Sequence, residues 1–356
     1  MIVRLGLVGL ALIAALVPLP PSVVEAWYAR GLYPALQPPL TALSNRVPFA
    51  LLDVLIAALL LWVGVVVARA VRRPKRGGRL AAMGRAVLTL AASAAVVYLA
   101  FLLLWGMNYR RVPLKDRMDF AGERVTEPAA RALAEKVVGR LNALQGGGTR
   151  TPSPDWDRTT DALAVPFSRV QRQLGATWVA APGVPKWSLL SFYFQRAAVD
   201  GMTDPFFLEV LVNRRLLPFE RPFVLAHEWA HLAGYADESE ASFVGWLVCL
   251  QGPAAAEYSG HLSLLWQLLP TLPPADREAV TRRLNAGSRE HLAAIVKRLA
   301  STSPVVRQAS WKVYDRYLKA NRVEEGVRSY GAALDLMLGA RLTDTWVPAL
   351  VGSPGH

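Results

Sequence analysis

Residues 223–234 read FVLAHEWAHLAG, an apolar run carrying two histidines and one carboxylate. On a helix, residues four apart share a face, so His227 and His231 can address one ion. Glu228 sits one step round, beside that ion rather than on it. This is the H-E-x-x-H arrangement of zinc peptidases, in which the glutamate is the general base for the water that the metal activates. Val224, Leu225 and Ala226 before the motif, Trp229 and Ala230 within it, and Leu232 and Ala233 after it carry no charge. Such a wall dries a site and strengthens electrostatics inside it. The plainer reading is a buried helix with two satisfied histidines.

A zinc site of this kind needs a third protein ligand and keeps its fourth position open. Candidates follow at once in GYADESEAS, residues 234–242. On one continuous helix Glu238 would lie about 10 Å along the axis from His231, too far to share an ion. Gly234 resolves this as the residue that ends a helix in the left-handed conformation. Asp237 can then cap a returning helix. Glu238 and Glu240 project about 200° apart on it, so only one can face the metal. Glu238 is the preferred ligand and Glu240 the alternative. Ala241 then leaves room for close helix packing, Ser242 supports a ligand histidine from behind, and Glu240 becomes a capping-box partner for Asp237.

The chain has 356 residues, 53% of them hydrophobic, and the apolar excess lies at the front. Residues 5–20, 50–68 and 86–105 read as three membrane spans, the last two each long enough to cross about 30 Å of hydrocarbon. A cleaved signal peptide is the rival for the first. Asp53 reads as an interfacial carboxylate. Arg69, Arg72, Arg73, Lys75, Arg76, Arg79 and Arg85 lie between spans two and three with no acidic residue among them. By the positive-inside rule this loop is cytoplasmic, the N-terminus is inside, and everything after span three is outside. These charges make up more than half of the formal net +13, so the basic balance is a topology signal and not a nucleic-acid footprint. The single cysteine, Cys249, excludes an intramolecular disulfide and a thiolate cluster; it reads as a small buried hydrophobe.

The division expected is a membrane part over residues 1–106 and an extracytoplasmic domain over 107–356. Trp105 and Tyr109 suit the headgroup level. Thr126 caps a helix running to about Leu144, stopped by Gly146, Gly147 and Gly148. A polar loop covers 149–158, and a second helix runs from Asp161 to Leu174. WSLLSFYF (187–194) and FFLEVLVN (206–213) read as strands, with turns at Asp200-Gly201 and Asp204-Pro205. Helices follow at roughly 238–251, 256–268, 274–299, 304–320 and 324–341. The fold class is α+β, mainly α: three transmembrane helices, then a helical domain with a small sheet just before the motif helix.

The chain resembles a bacterial membrane-anchored family catalogued as a domain of unknown function, in which H-E-x-x-H is followed closely by E-x-E-A. The likeness rests on Trp105-Gly106-Met107-Asn108-Tyr109, the sheet and motif helix, Tyr317-Leu318-Lys319, and Gly326-Val327-Arg328-Ser329-Tyr330-Gly331. More distantly, E-x-x-A resembles the second helix of gluzincin peptidases, whose first glutamate binds zinc; this implies Glu238. Gluzincins often place aspartate after that alanine, where this chain has Ser242, a shorter group for orienting a histidine. The resemblance implies a multi-pass protein of the bacterial cytoplasmic membrane.

The function expected is a membrane-anchored zinc metallopeptidase acting on a peptide or protein substrate outside the membrane. His227, His231 and Glu238 hold Zn2+, Glu228 is the base, and the strand at Phe206 to Asn213 offers an edge to an extended peptide. Tyr235, Tyr258, His261 and Arg214 are available as oxyanion donors, with none assigned. The competing readings are a non-catalytic, zinc-stabilised envelope protein that binds a partner, and a membrane scaffold without metal. The lipid bilayer is the one partner read directly; nucleic acid is not expected.

Overall fold

A computed structural model describes residues 1–72, 78–146, 155–321 and 329–352. Arg73, Lys75 and Arg76 of the basic loop, Gly147, Gly148, most of the polar loop and residues 324–328 of the last expected helix lie outside these.

The protein is mainly helical with one small mixed sheet. Helix α1 (Ile2–Leu16) ends before Pro18 and Pro20, which cannot continue a helix. Its 15 residues make about 22 Å, short of the roughly 30 Å of a bilayer core. The chain then turns by 115° into helical residues Pro21–Asn45. This segment comprises α2 (Pro21–Val24), a π-helical stretch (Glu25–Leu32) and α3 (Tyr33–Asn45). The stretch between the first two expected spans is therefore mostly helix. Pro21 sits in a first turn, where the missing N–H costs nothing, whereas Pro34, Pro38 and Pro39 fall inside the helical run, where Trp178 Nε1 donates to the Ala29 carbonyl at 3.1 Å. Among the described residues two helices are long and apolar enough to cross a membrane, α4 (Leu51–Arg72) and α5 (Gly78–Leu104). A third span exists only if the bent pair counts as one. Leu60, Leu61, Trp62 and Val63 stand exposed on α4, as lipid-facing residues should. Helices α1 and α4 both pack on α5.

Next come α6 (Glu127–Gly146), entered through Thr126 Oγ1, and α7 (Trp156–Gln173). The latter starts five residues before its expected Asp161 because Asp155 caps it. The sheet contains β1 (Pro185–Lys186), β2 (Gly201–Thr203) and β3 (Val210–Val212), in the order β1-β3-β2. Strand β1 runs parallel to β3 and β2 antiparallel. WSLLSFYF is not a strand: it turns into α8 (Ser191–Ala197), whose residues Ser191, Phe194 and Ala197 bury one helical face. Tertiary packing there overrides the β-preference of the aromatics. Of FFLEVLVN only Val210–Val212 pairs, because Asp204 accepts bonds from the N–H groups of Phe206 and Phe207 and makes a turn. Gly201, expected in a turn, opens β2.

Helices α9 (Arg221–Leu232), α10 (Glu238–Leu250), α11 (Ala254–Leu268), α12 (Pro274–Arg282), α13 (Ala286–Ala300), α14 (Pro304–Ala320) and α15 (Ser329–Gly339) complete the chain. The single helix expected over 274–299 is two, since Asn285 caps a fresh start with its side chain on Ser288 N. One hydrophobic core runs from Val24 to Ala340, with Trp229, Phe243 and Trp246 among its largest buried side chains. It is continuous across residues 106 and 107.

Candidate metal centre

Pro222 sits in the first turn of α9, and its last turn closes on Gly234 (φ +85°), where any other residue would be strained. Gly234 N donates to His231 O and Tyr235 N to Ala230 O. Three residues later Asp237 caps α10 through the N–H groups of Ser239 and Glu240. The two helices pack closely: a Cβ at Gly245 would stand 2.8 Å from His227 N. The C-terminal carbonyls of α9 find distant donors. His231 O accepts from Trp105 Nε1 at 3.0 Å and Leu232 O from the Tyr33 hydroxyl at 2.8 Å.

This turn brings His227, His231 and Glu238 together, with one ligand atom of each within 4.8 Å of the others. Glu238 Oε2 lies 3.2 Å from His227 Nε2 and 3.6 Å from His231 Nε2. Atoms bound at 2.0–2.2 Å in a tetrahedron stand about 3.4 Å apart, so both spacings fit a zinc shell. The tautomers fit as well. His231 Nδ1 lies 2.8 Å from Tyr235 O, an acceptor only, so Nδ1 carries the proton and Nε2 presents its lone pair. His227 Nδ1 lies 3.3 Å from Ser242 Oγ, where the hydroxyl takes the supporting place expected for it. Glu238 Oε2 is buried without a hydrogen-bond partner despite its short approach to the histidines. A nitrogen and an oxygen lone pair aimed at a common point suit a cation, not each other.

Burial raises the proton affinity of Glu228 even against the neighbouring histidines. Burial also opposes a charge on His231, but the carboxylates of Glu238 and Glu228 outweigh it and lift its pKa to about 9, so a proton competes with a cation for the Nε2 lone pair. Glu238 responds in the opposite sense: burial would raise it, yet His231 and His227 hold it well below the usual range. Glu228 itself is held from the sheet. Thr203 Oγ1 stands 2.9 Å from Glu228 Oε2, and a Cβ at Gly201 would stand 2.6 Å from Oε1, so any side chain at Gly201 must push Glu228 aside.

Glu240 points elsewhere. Its Oε1 accepts from Leu114 N, so it is neither near the histidines nor the expected capping-box partner of Asp237. Burial lifts its pKa to about 7. Phe206 to Asn213 offers no edge, because β3 is paired on both sides; β2, beside Glu228, is an outer strand. Tyr258 bonds His291 and Gln145, His261 lies against Glu257, and Arg214 covers the Trp187 ring. Tyr235 contributes its carbonyl to His231, while its ring lies under Arg111 and Arg117. Cys249 is fully buried, and burial pushes its thiol up.

Two contacts escaped the sequence reading. Thr203 reaches Glu228 from the sheet, and the Tyr314 hydroxyl of α14 donates to Glu238 Oε1. Tyr314 and Tyr317 stack one helical turn apart, a spacing visible in the sequence but without a pointer to Glu238.

The family described as Protein of unknown function (DUF3810) matches residues 28–338. No curated protein and no solved structure matches the chain. The match spans α4, α5, the sheet, the motif helix and most of α15, and the chain belongs to the DUF3810 family of proteins of unknown function.

Proposed function

We propose that the chain is a membrane-anchored zinc metallopeptidase that hydrolyses peptide bonds outside the cytoplasmic membrane of a bacterium. The observation that carries this reading is the convergence of His227 Nε2, His231 Nε2 and the unpartnered Glu238 Oε2 beside a buried second carboxylate, Glu228. The E-S-E-A segment with Glu238 in the ligand position supports a gluzincin-like arrangement. Zinc bound there would supply a Lewis acid for the scissile carbonyl and lower the pKa of water. Glu228, with its proton affinity raised by burial, takes a proton from the attacking water and delivers it to the leaving amine. Thr203 holds that carboxylate in place, Tyr235 O and Ser242 orient the two imidazoles, and Tyr314 holds Glu238. The extracytoplasmic placement rests on Arg69, Arg72, Arg79 and Arg85 at the joined ends of α4 and α5, which leaves Leu51 and Leu104 at the opposite face.

The test is Glu228→Gln in purified full-length protein. About one zinc per chain is expected in both wild type and variant, with peptide cleavage lowered by about 10²-fold or more in the variant. Retained cleavage in the variant removes Glu228 as base. Zinc in both without cleavage in either supports the non-catalytic binding protein instead, and absence of zinc from both supports the scaffold.

A further inference from the structure

The segment joining β1 to β2 exposes large apolar side chains: Trp187, Leu189, Phe192 and Tyr193, with Leu189 83% and Phe192 67% accessible. Monomeric water-facing surfaces do not usually group such residues without a partner. What lies beside them identifies the partner. Asp53, in the first turn of α4, accepts from Ser188 Oγ at 2.6 Å and from Leu189 N at 2.8 Å. It is a structural tie, not a free interfacial carboxylate. The inner face of α8 joins a second small core, in which Phe194 packs with Ala50, Leu52 and Leu211, flanked by Leu55 and Ile56 of α4. Leu55 and Ile56 lie about 6 Å down the axis from the start of that helix, close to the thickness of one headgroup layer.

We propose that residues 187–197 form a lip that rests in the headgroup and upper acyl layer of the bilayer that α4 enters. The exposed face suits that level. Trp187 and Tyr193 are interface aromatics, Phe192 and Leu189 are the apolar payload, and Arg196 stands 3.6 Å over the Phe192 ring with its charge free to reach phosphates. The lip also fixes where the metal centre sits. Met202 packs against the small core from β2, between Gly201 and Thr203, the two residues that meet Glu228. On the peptidase reading, which this consequence rests on, the centre faces polypeptide segments lying near the membrane surface.

The experiment places a nitroxide on full-length protein in nanodiscs of phosphatidylcholine and phosphatidylglycerol, through Leu189→Cys, Phe192→Cys or, as a control on the exposed face of α7, Val165→Cys. Cys249 is buried and stays unlabelled. Collision rates with oxygen, which partitions into lipid, and with a water-soluble nickel chelate are compared. Labels at 189 and 192 are expected to favour oxygen several-fold, and the label at 165 to favour nickel. Nickel access at 189 and 192 equal to that at 165 overturns the proposal. So does exclusion of both reagents, which means a protein partner covers the lip. Neither readout involves zinc or cleavage, so this result and that of Glu228→Gln can fail separately.

Discussion

Two buried carboxylates only 29 residues apart in the chain, Glu209 and Glu238, are treated in opposite ways by the fold. Glu209 has both oxygens engaged. Its oxygens accept from Lys186 Nζ at 2.9 Å, Ser44 Oγ at 3.2 Å, Leu51 N at 3.1 Å and Leu52 N at 2.9 Å. Lys186 spends its remaining donors on Ser44. The cluster fastens the start of α4 to the sheet and leaves nothing for a ligand. Glu238 has one oxygen held by Tyr314 and the other aimed, with two imidazole nitrogens, at a shared point. A satisfied charge cluster is architecture; a convergent unsatisfied one is a candidate binding site.

That contrast can be broken most sharply by truncating each acid. Glu209→Ala leaves Lys186 buried and uncompensated, and a loss of about 3–5 kcal/mol is expected. Thermal unfolding in detergent should show it as a large fall in Tm, whereas Glu238→Ala should lose zinc with a much smaller change in the metal-free Tm. Equal Tm losses from the two would erase the distinction. Gly201→Ala tests the sheet side of the site. Its methyl must displace Glu228, so cleavage should fall by about 10²-fold while zinc content holds, read by activity and elemental analysis together. Tyr314→Phe removes one support of the Glu238 carboxylate, the proposed third ligand. Zinc affinity measured by chelator competition should drop about 10- to 100-fold, and an unchanged affinity would make Tyr314 a packing residue only.

The smallest effect lies away from both clusters. Burial would raise the Glu257 carboxyl, but His261 Nε2 at 3.6 Å and the Arg140 guanidinium, hydrogen-bonded to both oxygens, bring its pKa down to about 2. A lowered folded-state pKa stabilises above the ordinary glutamate range and is lost as pH falls through that range toward 2. Glu257→Gln should therefore lower Tm at pH 6, and the gap to wild type should shrink between about pH 4.5 and 2.

The local part of the centre was readable because its signals are local. The i,i+4 histidines, the helix-ending Gly234, the Asp237 cap and Ser242 all act within sixteen residues, 227–242, and short-range geometry decides them. The choice of Glu238 over Glu240 followed from which face of α10 meets α9. What stayed hidden depends on partners far along the chain. Glu240 found Leu114 instead of its own helix cap, and Asp53 found Ser188 instead of open interface. Thr203 and Tyr314 reach the site from a strand and a helix on either side of the motif. In α8 the aromatics read as strand because β-preference is strong in isolation, while the spacing of Ser191, Phe194 and Ala197 suited a helix against the start of α4.

The donors that close the end of α9 bear on how the protein is made. Trp105 and Tyr33, which satisfy the carbonyls of His231 and Leu232, lie 126 and 199 residues upstream of them. Both have left the ribosome long before the motif is translated, on segments adjoining the apolar helices. The histidine helix thus docks against upstream segments that give Leu232 O its donor and His231 O a second one beside Gly234 N. Two long-range hydrogen bonds couple the end of the histidine helix to the packing of segments 126 and 199 residues upstream.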